Sequence, residues 1–401
     1  MTQPPGTDAL ATRWAASGAM ALTGAPQRPL GPPAGLVPAL DAMHGRFPDI
    51  DLLGLLGERA ALAGLHRQGS TSCGGSCRLL RAADGWIAVS LPRVDDIEAI
   101  PAWLELAAGP PAGDVEMVWE LVAREIAGRS RDTVLDRARL VQLPVAGLDE
   151  TIQAPPVHEV PVGSGAPREA TGLLVVDLTS LWAGPLCGHL LARAGARVVK
   201  VESTNRPDGA RRGPRAFFDL LNGGKESVAL DFRRSDDVRV LRWLLKQADV
   251  VLEASRPRAL AQLGIDPAEM VGDEGPHTWV SITGYGRAGP DAERVAFGDD
   301  AAAAGGLVAW DGDQPVFCAD AIADPLAGMV AADACLRALE QGQRGVLEVA
   351  MAAVAGLFTG PTLPAPLGVT VAPPRARPVT TVAADLGADT AAVLAELGIH
   401  R

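Results

Sequence analysis

Two carboxylates in the stretch DAIADPLAG, Asp320 and Asp324, stand out as residues with chemical potential. Asp324 precedes Pro325 and the helical pattern PLAGMVAADACLRAL. On residue types alone it is a helix N-cap, with Pro325 at the first helical position, where no amide hydrogen is needed. An acid there lies at the positive end of the helix dipole, which favours its anion. A second concentration of chemistry is cationic. Between Arg197 and Arg234 stand nine basic and five acidic residues, a local charge of +4 in a chain of formal charge -12. A ligand with several phosphates is the natural partner of such a patch, although a solvated charged surface has the same composition. The acidic balance of the whole chain argues against a nucleic-acid partner bound by general electrostatics.

Several chemistries are not signalled. There is no G-x-G-x-x-G after the first apolar run of the second half and no Walker A sequence, so dinucleotide and ATP readings lose ground. Cys73 and Cys77 have no matching Cys or His pair nearby, so no metal site is expected. The five cysteines, an odd number scattered through 401 residues, read as reduced thiols and hence as a cytoplasmic protein. The N-terminus MTQPPGTDALATRW has neither a basic nor an apolar leader region, and the apolar stretches are broken short of a membrane span. No membrane partner and no signal peptide are expected.

The elements that would position these residues follow from hydrophobic pattern. LLVVDL (173–178), ARVVKVE (196–202), DVVLEA (249–254) and HTWVSITG (277–284) are short apolar runs suited to strands covered on both faces. Helical patterns at 182–194 and 235–248 alternate with them, with Ser235 as N-cap and Asp236 and Asp237 in the first turn. The fold class expected is α/β: a doubly wound, mainly parallel, Rossmann-like sheet in a large domain, plus a smaller α+β domain. In the smaller one, RLLRAADGWIAVSL predicts a hairpin turning at Asp84-Gly85, followed by two helical stretches and the apolar LVQLPVAGL. The segments are a loop-rich and helical 1–70, a small α+β domain over 71–150, a Pro/Gly/Ser-rich linker over 151–171, a large domain over 172–358, and a tail over 359–401 that packs back on the large domain. A weak repeat relates AASGAMALTGAPQRP (15–29) to AAGGLVAWDGDQP (303–315).

The stretch VVDLTSLWAGPLCGHLLARAGARVVKVE (175–202) resembles the opening of the family III CoA-transferases, a group with α-methylacyl-CoA racemase as a relative. LLNGGKESVALDF, ADVVLEASRPRALAQLGI, SITGYGRAGP and DAIADPLAGMVAADACLRAL follow in the family's order, so the likeness runs over about 172–358. LGADTAAVLAELGI (386–399) resembles the family's closing helix. GSTSCGGSCRLLRAADGWIAVSL and LVQLPVAGL resemble its small domain, here placed ahead of the large one, as in a permuted or rearranged arrangement.

The resemblance implies transfer of CoA between an acyl-CoA thioester and a carboxylic acid, with no permanently bound cofactor. Asp324, in Ala323-Asp324-Pro325-Leu326-Ala327-Gly328, matches the family's nucleophile, which passes through an aspartyl anhydride and an aspartyl-CoA thioester. It points to Ser180, Leu181, Trp182, Ala183 and Lys225 as CoA contacts, and to the glycine segment containing Gly74 and Gly75 as a lid. The chain departs from the family where Glu253-Ala254-Ser255-Arg256-Pro257 stands for E-N-F-x-P, and where Ser203 and Gln262 stand for arginines. Arg206, Arg211 and Arg256 are the candidates to compensate. Asp299 stands where the racemases carry a histidine, which disfavours an acyl-CoA racemase; a non-catalytic acyl-CoA-binding partner subunit is the other alternative. A homodimer, interlocked by threaded chains, is implied by the resemblance only.

Overall fold

The computed structural model describes residues 6–109, 113–272 and 274–399. Residues 1–5, 110–112, 273 and 400–401, which belong to the expected N-terminal segment, small domain, large domain and tail, lie outside the described residues. The chain forms two compact units: 1–153 with 294–323 and 351–376, and 154–293 with 324–350 and 377–401.

The second unit is built on a seven-stranded sheet. Leu174–Asp177, Arg197–Ser203, Glu226–Leu230, Val250–Glu253, Thr278–Thr283 and Gln343–Ala350 run parallel, in the spatial order 3-2-1-4-5-6 by their place in the chain. Every residue of Leu174–Asp177, Val250–Glu253 and Thr278–Thr283 is buried, which is why these strands read as continuous apolar runs. The four strands expected from pattern are present, and the sheet is doubly wound as expected. Ser235–Gln247 is a helix whose first turn holds Asp236 and Asp237. Its N-cap is Arg234 rather than Ser235, and the Asp237 carboxylate accepts the Asp231 amide at 2.8 Å instead.

The expected linker at 151–171 is in good part a strand. Val157–Ser164 pairs antiparallel with Gln343–Ala350 and closes one edge of the sheet. Its residues are mostly exposed, and Pro161 lies beside the register shift between Arg344 and Gly345, the kind of edge position where a missing N–H is tolerated. Pro and Gly clusters there mark an edge strand, not a free connection. At the opposite edge, the Glu226–Leu230 strand turns its amides to side chains of the C-terminal segment. Asp389 accepts Ser227 N–H at 2.8 Å and Thr390 accepts Ala229 N–H at 3.0 Å. The helix Thr390–Glu396 buries Val393 and Leu394 in the core of this unit. Of the expected tail, 377–399 thus packs on the sheet unit, while 359–376 belongs to the other unit.

In the first unit, Cys77–Arg81 and Trp86–Ser90 form the expected hairpin, and Val145–Gly147 adds a third antiparallel strand. Helices Val115–Ala127 and Arg131–Val141 cover one face, burying Ile87, Val89, Trp103, Trp119 and Val122. Asp114 and Ser130 cap these helices. Residues 294–323, expected in the large domain, supply the other face: Leu79 and Ala88 pack with Ala303 and Phe317. The two copies of the weak repeat take related shapes. Gly24–Ala25 pairs with Arg28–Pro29, and Ala309–Asp311 pairs with Gln314–Val316, each a short hairpin following a helix.

Among the acids this unit buries are Asp299, Asp300 and Asp320. Asp320 receives the Arg59 guanidinium, with Nε at 2.8 Å. Asp299 accepts the Ala321 amide at 3.0 Å, yet burial and the neighbouring Asp320 charge push its carboxyl up to about 7. Burial pushes Asp300 up to about 8, against a hydrogen bond from Ser90 at 2.7 Å. The folded form therefore holds two protons that the unfolded chain releases near pH 4. Raising pH from about 4 toward 8 favours unfolding, and the loss levels off above that. Thermal melting at pH 5.5, 7 and 8.5 is expected to show falling stability, and Asp300→Asn is expected to flatten the slope. A flat or rising profile for the native chain contradicts this account.

Among the described residues, no helix is long and apolar enough to cross a membrane, and no group of three or more His, Cys, Asp or Glu is placed to hold a metal ion. All five cysteines are buried free thiols.

Candidate active site

Ligands of a doubly wound sheet sit beyond the carboxyl ends of the strands, where the strand order reverses. Here the reversal lies between Leu174–Asp177 and Val250–Glu253. Beyond the first of these the chain makes a turn, 178–182, into the helix Ala183–Arg193. Ser180 and Leu181 are exposed on that turn, and Leu181 has a left-handed backbone with φ 70°. Trp182 is buried edge-on against Phe217, with ring centroids 5.2 Å apart, and Ala183 is buried at the helix start.

A buried network of alternating charges sets the shape of this turn. Asp177 ends the strand fully buried, its Oδ1 accepting the Thr179 amide at 2.9 Å and the Thr179 hydroxyl. Its Oδ2 receives Lys225 Nζ at 2.9 Å. Burial pushes the Asp177 carboxyl up, but the Lys225 and Lys200 ammonium groups and the Thr179 hydroxyl outweigh it and hold the acid below its usual range. Lys200, from the second strand, donates to the Thr179 carbonyl at 2.8 Å and pairs with Asp208 Oδ2 at 2.9 Å. Burial lowers its affinity for the proton, yet Asp177, Asp208 and Glu202 raise it above the ordinary lysine value. Two glycines make room for the cluster. A Cβ at Gly184 would lie 2.2 Å from that of Thr179, and one at Gly188 would lie 3.0 Å from Asp177 Oδ2 and from Lys225 Nζ.

The helix Ala323–Gln341 packs on the start of the helix Ala183–Arg193. Asp324 is half-buried in its first turn, within the helix rather than at the N-cap. Gly328 lies one turn further along the same face. A Cβ there would stand 2.5 Å from the Ala183 carbonyl oxygen and 3.1 Å from Leu186 Cβ. The Asp-x-x-x-Gly spacing therefore couples the carboxylate to a helix seat against Ala183. Gly328→Val is expected to destabilise the chain by about 1–3 kcal/mol, because backbone on both sides must shift. A urea midpoint equal to that of the native chain would show that the seat is loose.

The other candidates are distributed unevenly. Lys225, expected to meet a phosphate, is buried instead, with its three donors directed to Asp177, the Pro185 carbonyl at 2.9 Å and Asn222 Oδ1 at 3.1 Å. Arg211 is mostly buried, held by Glu202 (2.6 Å) and the Ala384 carbonyl (3.2 Å) and stacked over Phe218. Arg206 is exposed on the connection after the second strand, as is Arg212. Arg256 is half-buried at the N-cap of Pro257–Gln262. It follows Ser255, whose amide and hydroxyl both donate to the buried Glu253 at 2.7 Å. Gly74 and Gly75 belong to the first unit, in a turn tied by Gly75 N–H to Ser72 O and Ser72 N–H to Cys77 O, both at 2.8 Å. That segment is a hydrogen-bonded turn rather than a loose one.

Sequence reasoning missed Asp177, Lys200, Glu202 and Asp208 as a set. The available signal was Lys200 inside an apolar strand, since a lysine buried there requires buried acids around it.

The sequence profile of CoA-transferase family III matches residues 171–385, more than half of the chain. The chain belongs to that family. It is 32% identical over 188 residues to a succinyl-CoA–D-citramalate CoA-transferase of Chloroflexus aurantiacus, a match covering 44% of this chain and 47% of the relative. It is 31% identical over 170 residues to a formyl-CoA:oxalate CoA-transferase of Escherichia coli, covering 39% and 40%. The chain thus spans about half the length of these relatives or less. Among solved structures it is similar to a CAIB/BAIF family protein from Brucella suis, at 29% identity and a TM-score of 0.43, covering 48% of this chain and 55% of that one.

Proposed function

We propose that the chain transfers CoA from an acyl-CoA thioester to a free carboxylic acid, with Asp324 as the nucleophile. The observation that carries the reading is the position of Asp324: the first turn of a helix seated, through Gly328, on the start of the helix Ala183–Arg193 that follows the first parallel strand. Family membership gives that carboxylate its chemistry, and the relatives' printed names give the substrate class.

A carboxylate oxygen of Asp324 attacks the thioester carbonyl; the C–S bond breaks and CoA leaves as thiolate, giving an acyl-aspartyl anhydride. The thiolate attacks the aspartyl carbonyl, releasing the donor acid as its carboxylate and leaving an aspartyl-CoA thioester. The acceptor carboxylate attacks that thioester and frees the thiolate again, forming a second anhydride. The thiolate then attacks the acceptor carbonyl, yielding the new acyl-CoA and restoring the Asp324 carboxylate. No external base is needed, because each nucleophile is already an anion. The start of a long helix favours the regenerated carboxylate, and water must be kept from both activated intermediates. With Lys225 and Arg211 engaged internally, the exposed Arg206 and Arg212 are the cations proposed to meet CoA phosphates.

The test is a screen of acyl-CoA donors against free-acid acceptors, following CoA exchange by mass spectrometry. Formation of a new acyl-CoA without net hydrolysis is the expected result. Binding without exchange across the panel would favour a non-catalytic acyl-CoA-binding role.

A further inference from the structure

Leu181 combines an uncommon backbone with a displayed apolar side chain. Its backbone has φ 70°, uncommon for a residue with a side chain, and it is a large apolar residue left 43% exposed. Such a conformation persists only where the surroundings over-determine it, and such positions cluster at ligand clamps. The determinants here converge on one acid. Asp208 is buried, and its Oδ1 accepts the Leu181 amide at 3.0 Å and the Ala210 amide at 2.9 Å. Its Oδ2 pairs with Lys200, which at the same time holds the Thr179 carbonyl. Asp208 is itself fixed by its own amide, donated to Glu202 Oε1 at 2.8 Å, and Glu202 is held by Arg211. Two backbone groups of the turn, one on either side of Ser180, are therefore held through the Lys200–Asp208 pair. Alongside it, a Cβ at Gly209 would come within 3.2 Å of Leu181 Cδ2, so the following residue leaves space for the displayed side chain.

We propose that Asp208 is a positioning residue of the acyl-CoA site, fixing the 179–182 turn in the shape that presents Ser180 and Leu181 to the thioester ligand. This assignment rests on the CoA-transfer reading given above. Asp208 touches no reacting atom, so its loss acts on binding rather than on the chemical step.

The experiment compares the native chain with Asp208→Ala, with Asp208→Asn, and with the double replacement Lys200→Met and Asp208→Leu. The double variant leaves no unmatched charge buried, which guards against simple unfolding. For each folded protein, KM for the acyl-CoA and kcat are measured, with Kd for free CoA by calorimetry and amide exchange at 179–182. Asp208→Ala and the double variant are expected to raise KM and Kd about tenfold or more, with kcat within about threefold and faster exchange at Leu181. Asp208→Asn, which keeps an acceptor for the Leu181 amide, is expected to fall between. Folded variants with native KM and Kd, or with kcat reduced and KM unchanged, overturn the assignment. A native chain that neither binds CoA nor transfers it overturns the CoA-transfer reading itself, and the role of Asp208 with it.

Discussion

Asp324→Asn is expected to lower transfer on the order of 10⁴-fold or more, with little change in the affinity for acyl-CoA. The carboxamide keeps the size of the side chain and its place in the first helical turn, so the seat of Gly328 against Ala183 is retained. What disappears is the anionic oxygen proposed to form the anhydride. The comparison is with Asp320→Asn. Asp320 is fully buried and receives the Arg59 guanidinium in the first unit, so its replacement is expected to appear in the melting curve. An Asp324→Asn enzyme that turns over normally would move the nucleophile elsewhere.

The second large effect concerns Lys225, and it separates two roles cleanly. A lysine that met phosphate would be dispensable for folding and important for CoA affinity. Lys225 instead has its ammonium inside the protein on Asp177, and its loss leaves a buried carboxylate short of its nearest counter-charge. Lys225→Met is expected to cost about 3 kcal/mol or more, which lowers the melting temperature of a chain this long by roughly 4 °C or more. Replacing Asp177 by leucine at the same time is expected to cost less than the sum of the two single changes, since the pair is removed together. Unaltered melting with weakened CoA binding would restore the phosphate-ligand role.

Four of the six parallel strands were legible because they are short, largely buried apolar runs, and the hairpin at Asp84-Gly85 because turn residues interrupt alternation; Glu226–Leu230 and Gln343–Ala350, broken by polar and exposed residues, were not. The edge strand Val157–Ser164 was not, because Pro161 and exposed polar residues give an edge the same composition as a linker. Asp324 could be singled out through its motif, and Gly328 supplies a physical reason for the spacing. The fate of Lys225 was hidden for a different reason. A lysine in a Gly-rich connection carries no mark of whether it faces solvent or a buried acid, and the acid in question, Asp177, stands 48 residues earlier. The cooperation of Lys200, Asp208 and Glu202 likewise depends on side chains from separate strands and connections meeting at one point.

The most direct measurement is chemical capture at the carboxylate itself. The enzyme is turned over with an acyl-CoA in the presence of hydroxylamine, digested, and mapped by mass spectrometry. An activated aspartyl carbonyl, whether anhydride or CoA thioester, is converted to a hydroxamate, and that mark is expected on Asp324 only when acyl-CoA is present. An unmarked Asp324 during sustained CoA exchange, or the mark on another residue, contradicts the account.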